Sequence, residues 1–155
     1  NLAADKPVTF NIAPSKGYAK FGAKALTGGL YGGTTFVESW VGWEGINADF
    51  VVDLGEECDI CSVSIDCLHQ LGAWILLPKG VKYSVSTDGT NYTPLGEYYR
   101  PEDRDPSMKF VEFKVEKAAR ARYVRAEVEG TIECPSWHYG VGHASWFFID
   151  EIVVN

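Results

Sequence analysis

Ile60-Cys61-Ser62-Val63-Ser64-Ile65-Asp66-Cys67-Leu68 is the stretch whose reading decides the fold class. Cys61, Val63, Ile65 and Cys67 share one face and Ser62, Ser64 and Asp66 the other, the period-two pattern of a strand lying on a core. Upstream, Asp49-Phe50-Val51-Val52-Asp53-Leu54 alternates in the same way and stops at Gly55. Downstream, Val81, Tyr83 and Val85 form one face of a third strand, Asp88-Gly89 signals a tight turn, and Tyr92 to Leu95 returns as its hairpin partner. Val111, Phe113 and Val115, then Tyr123 to Val128, then Trp146 to Val154 continue the series. No segment holds a helical period beyond about one turn. Short strands separated by turn chemistry predict an all-β, antiparallel sandwich.

The 155 residues suit one domain, 1–155, with a single core, and neither a linker nor an internal repeat interrupts them. A 46% hydrophobic share argues against disorder. The net charge of −7, with no basic cluster longer than Arg120-Ala121-Arg122, argues against nucleic acid as a partner. No apolar run reaches the ~18 residues of a transmembrane segment. Asn1-Leu2-Ala3-Ala4-Asp5 does not read as a leader; any signal peptide was removed or belongs to a longer parent chain. Aromatics make up 14% of the chain, and some of that share is expected to line a surface.

Cys58, Cys61, Cys67 and Cys134 do not form the two close pairs that signal zinc, and Cys58-x-x-Cys61 lies beside a strand rather than at a redox helix start. They read as small buried thiols, with a Cys67–Cys134 disulfide open in an oxidising compartment. Catalysis has little support. Glu97, Glu102, Asp103 and Asp105 fall in a Pro-rich charged turn that reads as a solvated face, not as the carboxyl pair about 5–5.5 Å apart of a retaining glycosidase. Ser136 and His138 lack an elbow motif, and His69, His138 and His143 lack a carboxylate at helical spacing.

Three connections are long: 14–48, 69–80 and 130–145, and loops of that length in a compact domain are usually functional. If Ile60–Leu68 and Trp146–Val154 run antiparallel, the second and third lie at one end of the sandwich. His69, Gln70 and Trp74 then come near Trp137, His138, Tyr139 and His143. That mixture suits a sugar: an aromatic face for the C–H side of the ring, and polar groups for its hydroxyls. Trp74, followed by Ile75-Leu76-Leu77, can equally close the core edge, and His138 can equally cap loop carbonyls. Trp40 and Trp43 are expected to pack the first long loop, and Trp146 to enter the core.

An ordered set of segments carries a family resemblance. Asn1-Leu2-Ala3, Lys6-Pro7-Val8, Ala23-Lys24-Ala25-Leu26-Thr27-Gly28-Gly29, Trp43-Glu44-Gly45 and Val52-Asp53-Leu54-Gly55 come first. Ser84 to Gly89, Ala121-Arg122-Tyr123-Val124-Arg125 and Phe148-Ile149-Asp150-Glu151-Ile152 follow. Over nearly its whole length the chain resembles the coagulation-factor type C (discoidin-like) domains. Among these it is most similar to the carbohydrate-binding modules of bacterial glycoside hydrolases, in particular C-terminal modules of β-hexosaminidase (chitobiase)-like enzymes. There a Gln loop with a Trp-Ile pair, here Gln70 and Trp74-Ile75, accompanies a Trp-His segment, here Trp137-His138.

The resemblance implies a galactose-binding-domain-like jelly roll of about eight strands with adjacent termini. It also implies a non-catalytic, lectin-like role. The partners are a glycan of the galactose or N-acetylhexosamine type and the catalytic domain of a parent enzyme. The location is extracytoplasmic: periplasmic, cell-surface or secreted. The resemblance points to Gln70, Trp74, Trp137 and His138, and the proximity of the loops adds Tyr139 and His69 as candidate carbohydrate-binding residues. A structural calcium ion is the one cofactor the family suggests, with Glu151, Thr34 and the Ala25 carbonyl as ligands. Calcium wants about six to eight oxygens, and Gly28 stands where relatives carry an Asp, so weak or no calcium dependence is expected. Two other readings stay open: a structural module packed on its catalytic neighbour without sugar affinity, and an adhesion or membrane-surface domain, which the acidic balance disfavours.

Overall fold

The computed structural model describes residues 1–15, 22–29 and 40–155. Among them the strands are β1 (Val8–Ile12), β2 (Val41–Glu44), β3 (Ala48–His69), β4 (Gly80–Ser86), β5 (Thr93–Tyr99), β6 (Lys109–Glu129) and β7 (Trp146–Val154). Among the described residues helical structure is confined to 3₁₀ turns at Gly22–Leu26 and Leu71–Ala73. No helix in the described residues is long and apolar enough to cross a membrane.

Two strands serve both layers of the sandwich. The expected strands 49–54 and 60–68 are one strand, β3, which bends rather than stops at Gly55, where φ is 89°. The runs at 111–115 and 123–128 likewise merge into β6. The first part of β3 pairs with β1 and with the second part of β6, which continues to β4 and β5. The second part of β3 pairs with the first part of β6 and with β7, which carries β2 at its edge. All these pairings are antiparallel, and seven strands so arranged make the discoidin-like β-sandwich.

The core lies between the layers. Phe50, Val52 and Leu54 from one layer meet Val63, Ile65, Ile149 and Ile152 from the other. Trp43 belongs to β2 rather than to a loop; it stacks on Phe147 with centroids 5.3 Å apart and donates its indole N–H to the Ile12 carbonyl at 3.1 Å. The termini meet, because the Leu2 N–H donates to Val154 O and Asn1 Oδ1 accepts from the Val154 N–H at 3.0 Å.

Two departures have physical causes. Cys61 does not share the inner face with Val63: the register shifts between Ile60 and Ser62, and this bulge leaves Cys61 exposed. Ser62 and Ser64 are buried although they point away from the main core. Ser62 exchanges backbone hydrogen bonds with Asn155 and Ser64 pairs with Val153, while a second apolar cluster, Trp40, Leu68, Ile75 and Phe148, covers the outer side of that layer near Leu68, with Trp40 stacked on Phe110 at 5.7 Å. The four cysteines are unpaired thiols. Cys67 lies in the main core, Cys134 packs with Leu71 and Leu76, and Cys58 is half-buried, so the Cys67–Cys134 disulfide is absent.

Candidate functional site

Cys67 of β3 pairs with Ile149 of β7, so the connections 70–79 and 130–145 do leave the sandwich at one end. Bridges from Gln70 to Ile75 and from Ile75 to Trp146 hold them together. Trp74 sits in the left-handed region at φ 63°, a conformation that costs a non-glycine residue about 1–3 kcal/mol. Its backbone is pinned there: the N–H donates to Leu71 O at 3.0 Å, and the carbonyl accepts the Trp146 N–H at 2.9 Å. The half-buried Trp74 ring is turned toward His138, Tyr139 and His143, with centroids 6.3, 5.9 and 5.5 Å away. Gly140 makes this possible, since a Cβ there would lie 3.0 Å from the Trp74 ring and 3.1 Å from His138 Nδ1.

The histidines have other work. His138 is 5% exposed; its Nδ1 accepts the Gly140 N–H at 3.0 Å, so its Nε2 donates to the Leu71 carbonyl at 2.8 Å. Both ring nitrogens are spent on backbone, and the ring fastens one loop to the other. His69 is 1% exposed and stands apart from the Trp74 group. Its Nε2 donates to the Asp105 carbonyl at 2.6 Å, and its Nδ1 has no partner among the described residues. The expectation that His69 joins Trp137 and Trp74 at one surface is therefore corrected: the 100–108 connection covers it. Gln70 is half-buried, and its Oε1 lacks a hydrogen-bond partner among the described residues.

Tyr139 is the most exposed of the expected residues at 69%, its hydroxyl donating to Gly72 O at 2.5 Å. Trp137 donates its indole N–H to Glu102 Oε2 at 2.9 Å, and the Arg104 guanidinium lies 5.2 Å from its ring centre. This indole forms part of the wall of a cleft of about 260 Å³. Leu76, Leu77, Pro78 and Lys79 line one side, Tyr99, Arg100, Pro101 and Glu102 another. The charged turn read as a solvated face is thus a third wall, and sequence reasoning missed it. Its signal was there: two prolines and alternating charge in Arg100-Pro101-Glu102-Asp103-Arg104-Asp105-Pro106 suit a shaped loop as well as a solvated one. Asp103 anchors that wall through Lys109 at 2.6 Å and Arg100 at 3.3 Å. Burial pushes its carboxyl up, but the Lys109 bond and the Asp105 N–H outweigh it and hold it below the usual range. An anion held in this way does not serve as a general acid.

The implied calcium ligands lie elsewhere. Ile65 pairs with Ile152 and Cys67 with Ile149, so β7 carries one extra residue, and both Asp150 and Glu151 are buried at this bulge. The Glu151 carboxylate accepts the Gly29 N–H at 3.1 and 3.2 Å, and the Asn1 amide nitrogen lies 3.5 Å from it. Burial raises its pKa to about 7 against the Gly29 bond, with the charge of Asp5 adding to the rise. Ala25 belongs to the 3₁₀ turn Gly22–Leu26, and Thr34 lies outside the described residues. N–H donors of Gly29 and Asn1 face Glu151, and no group of three or more His, Cys, Asp or Glu among the described residues is placed to hold a metal.

A family model described as F5/8 type C domain matches residues 13–148. Among solved structures, SpGH29 superposes with a TM-score of 0.61 at 13% identity over 99% of this chain; the chain spans 27% of that protein's length. CpGH89CBM32-5 of Clostridium perfringens, solved with GalNAc-β-1,3-galactose, gives 0.57 at 18% identity over 97% of this chain and 94% of its own. The C-terminal domain of a chitobiase from Bacteroides fragilis gives 0.55 at 15% identity over 98% and 95%. No curated protein matches the chain at a significant level.

Proposed function

This chain belongs to the F5/8 type C domain family, and from that premise we propose that it is a non-catalytic carbohydrate-binding module. It accompanies an extracytoplasmic glycoside hydrolase and holds a terminal galactose or N-acetylhexosamine type residue at the apical cleft. One observation carries the reading: Trp137 stands in the wall of a mainly apolar cleft with its indole N–H tied to Glu102, so that its orientation is set before any ligand arrives. A sugar ring lays its C–H face on that indole, while Arg100, Lys79 and Glu102 supply donors and acceptors for its hydroxyls. His138, with both nitrogens engaged, positions the loops and does not touch the sugar. Trp74 and Tyr139 extend the aromatic surface beyond the cleft. The sugar complex of the C. perfringens module and the chitobiase origin of the B. fragilis domain support this choice of ligand and parent.

Affinity for one sugar ring is expected near a millimolar, about −4 kcal/mol, because hydroxyls exchange water for protein at small net gain. A tethered module needs no more, since the linker raises the local concentration of enzyme at a glycan surface. The test is titration calorimetry with galactose, N-acetylgalactosamine and N-acetylglucosamine, alone and as terminal residues of oligosaccharides. Trp137→Ala should weaken the best ligand about tenfold or more and leave the melting temperature nearly unchanged. A variant that binds as well as wild type would show that the apical cleft is not the site.

A further inference from the structure

The outer side of the five-stranded layer carries an open groove of about 640 Å³, inside the roughly 300–1,000 Å³ range of small-molecule sites. We propose that this face is a second glycan site, one that takes an uncharged oligosaccharide lying across the strands. The proposal does not depend on the apical cleft.

The strand register builds its floor. Thr9 of β1 pairs with Val51 of β3, Val51 with Arg125 of β6, and Arg125 with Ser84 of β4. Thr9, Val51 and Arg125 line the groove in a row across three strands, and Gly89 and Tyr92 from the connection between β4 and β5 extend it further, which suits a chain of rings better than a single ring. Tyr92 and Tyr123 line the groove as well. Arg122 lies over the Tyr123 ring at 5.1 Å and Arg125 over Tyr92 at 5.8 Å, so each tyrosine is backed by a guanidinium and held in place. Gly89 keeps this end open: a Cβ there would come within 3.2 Å of the Tyr123 ring.

The polar groups are paired and planar. Arg122 holds Asp53 by two bonds of 2.8 and 3.0 Å, and Arg125 holds Asp49 by two of 3.0 and 2.6 Å, with the Asn11 amide also donating to Asp49 at 3.0 Å. In both arginines Nε and one terminal nitrogen are committed, and the other terminal nitrogen has no hydrogen bond among the described residues. Its two N–H groups, without a partner among the described residues, can serve a ligand. The fixed carboxylates still offer lone pairs. Each guanidinium already has its carboxylate, and Arg125 has a second in Glu127 at 3.4 Å, so the face offers no unpaired arginine to an anion, and what it offers is a set of rigid donors and acceptors beside two tyrosines. That is hydroxyl-recognising chemistry for an uncharged chain.

The experiment is a ¹⁵N NMR titration of the whole chain with chitohexaose, cellohexaose and laminarihexaose, each taken to about 10 mM. At least one should move the amides of Thr9, Val51, Tyr92, Tyr123 and Arg125, and the monosaccharide should not. Thr9→Trp, a filling substitution at an exposed strand position, should abolish these shifts. Tyr92→Ala should weaken the hexasaccharide by about tenfold. Trp137→Ala should leave the groove shifts intact, which separates this site from the apical one. The proposal is overturned if no hexasaccharide moves the groove amides, if shifts appear only in the 70–79 and 130–145 loops, or if a sulfated or uronate hexasaccharide binds the face and the uncharged ones do not.

Discussion

Asp49 and Glu151 are both strand carboxylates withdrawn from water, yet the protein treats them in opposite ways. Asp49 is 13% exposed and Glu151 1%. Burial pushes the Asp49 carboxyl up, but the two Arg125 bonds, the Asn11 amide and the Arg125 charge outweigh it and hold it below the usual range. Burial pushes Glu151 up as well. Its main opposing contact is the Gly29 N–H, the charge of Asp5 works against it, and its pKa stands at about 7. A partner of opposite charge keeps a withdrawn carboxylate ionised; a backbone N–H alone does not. Asp49 is therefore part of a fixed polar surface, and Glu151 is a strained anion above neutrality.

The largest expected effect comes from removing that anion. Above a pKa of about 7 the folded chain carries the charge in full, whereas the unfolded chain ionises near 4.5. The contribution of protonated Glu151 to stability is thus complete below the unfolded value and is lost as pH rises through the folded one. Each pKa unit corresponds to about 1.4 kcal/mol, so the loss is on the order of 3 kcal/mol. Glu151→Gln should match wild type at pH 5 and exceed it at pH 8, by several degrees in thermal melts. Equal melting temperatures at pH 8 would mean that Glu151 titrates normally and that the contrast with Asp49 is false.

Breaking the other half of the comparison should cost somewhat less. Arg125→Ala leaves the Asp49 carboxylate with the Asn11 amide alone, and loss of hydrogen bonds to a charged group costs about 2 kcal/mol. The sign of the pH dependence is opposite to that of Glu151. Asp49 stabilises above its unfolded pKa, and this contribution disappears as pH falls through the lower folded value. The variant should therefore melt lower than wild type at pH 7 and converge with it in acid. Denaturant unfolding at pH 7 and pH 3 checks this, and an identical deficit at both would show that Arg125 acts by packing alone.

How far such features could be read from sequence depends on how local they are. The strands at 60–68, 81–85 and 146–154 were legible because a period of two marks a half-buried strand whatever surrounds it. Given an antiparallel placement of β3 and β7, which the period does not itself supply, the meeting of Trp74, His138, Tyr139 and His143 followed. The passage of β3 through Gly55 into the second layer was not legible, because a glycine that bends a strand and one that ends it look alike in sequence. Nor was the bulge that exposes Cys61 and its counterpart in β7 that buries Glu151, since one extra residue leaves the composition unchanged. The Leu71 carbonyl that takes the second nitrogen of His138, and the cover over His69, come from segments 67 and 36 residues away. The Asp49–Arg125 pair is also long-range, 76 residues apart, and only the strand register reveals it.

The smallest effect predicted is that of calcium, and it tests the Glu151 half of the comparison most directly. A cation at this carboxylate would favour the charged form and draw its pKa down toward that of Asp49. A structural ion present at about a thousand times its dissociation constant adds about 4 kcal/mol. In a chain of this length that amounts to roughly 8–16 °C of melting temperature. Gly28 supplies no carboxylate, which leaves Glu151 without an anionic neighbour at that position, so a much smaller response is expected. Melts in 1 mM calcium chloride and in excess chelator should differ by less than about 2 °C, both at pH 6 and at pH 8. A shift near the upper figure, present in wild type and absent in Glu151→Gln, would mean that Glu151 serves as a ligand after all. Its raised pKa would then describe only the metal-free protein, and the contrast with Asp49 would be one of partner type, a metal ion in one place and an arginine in the other.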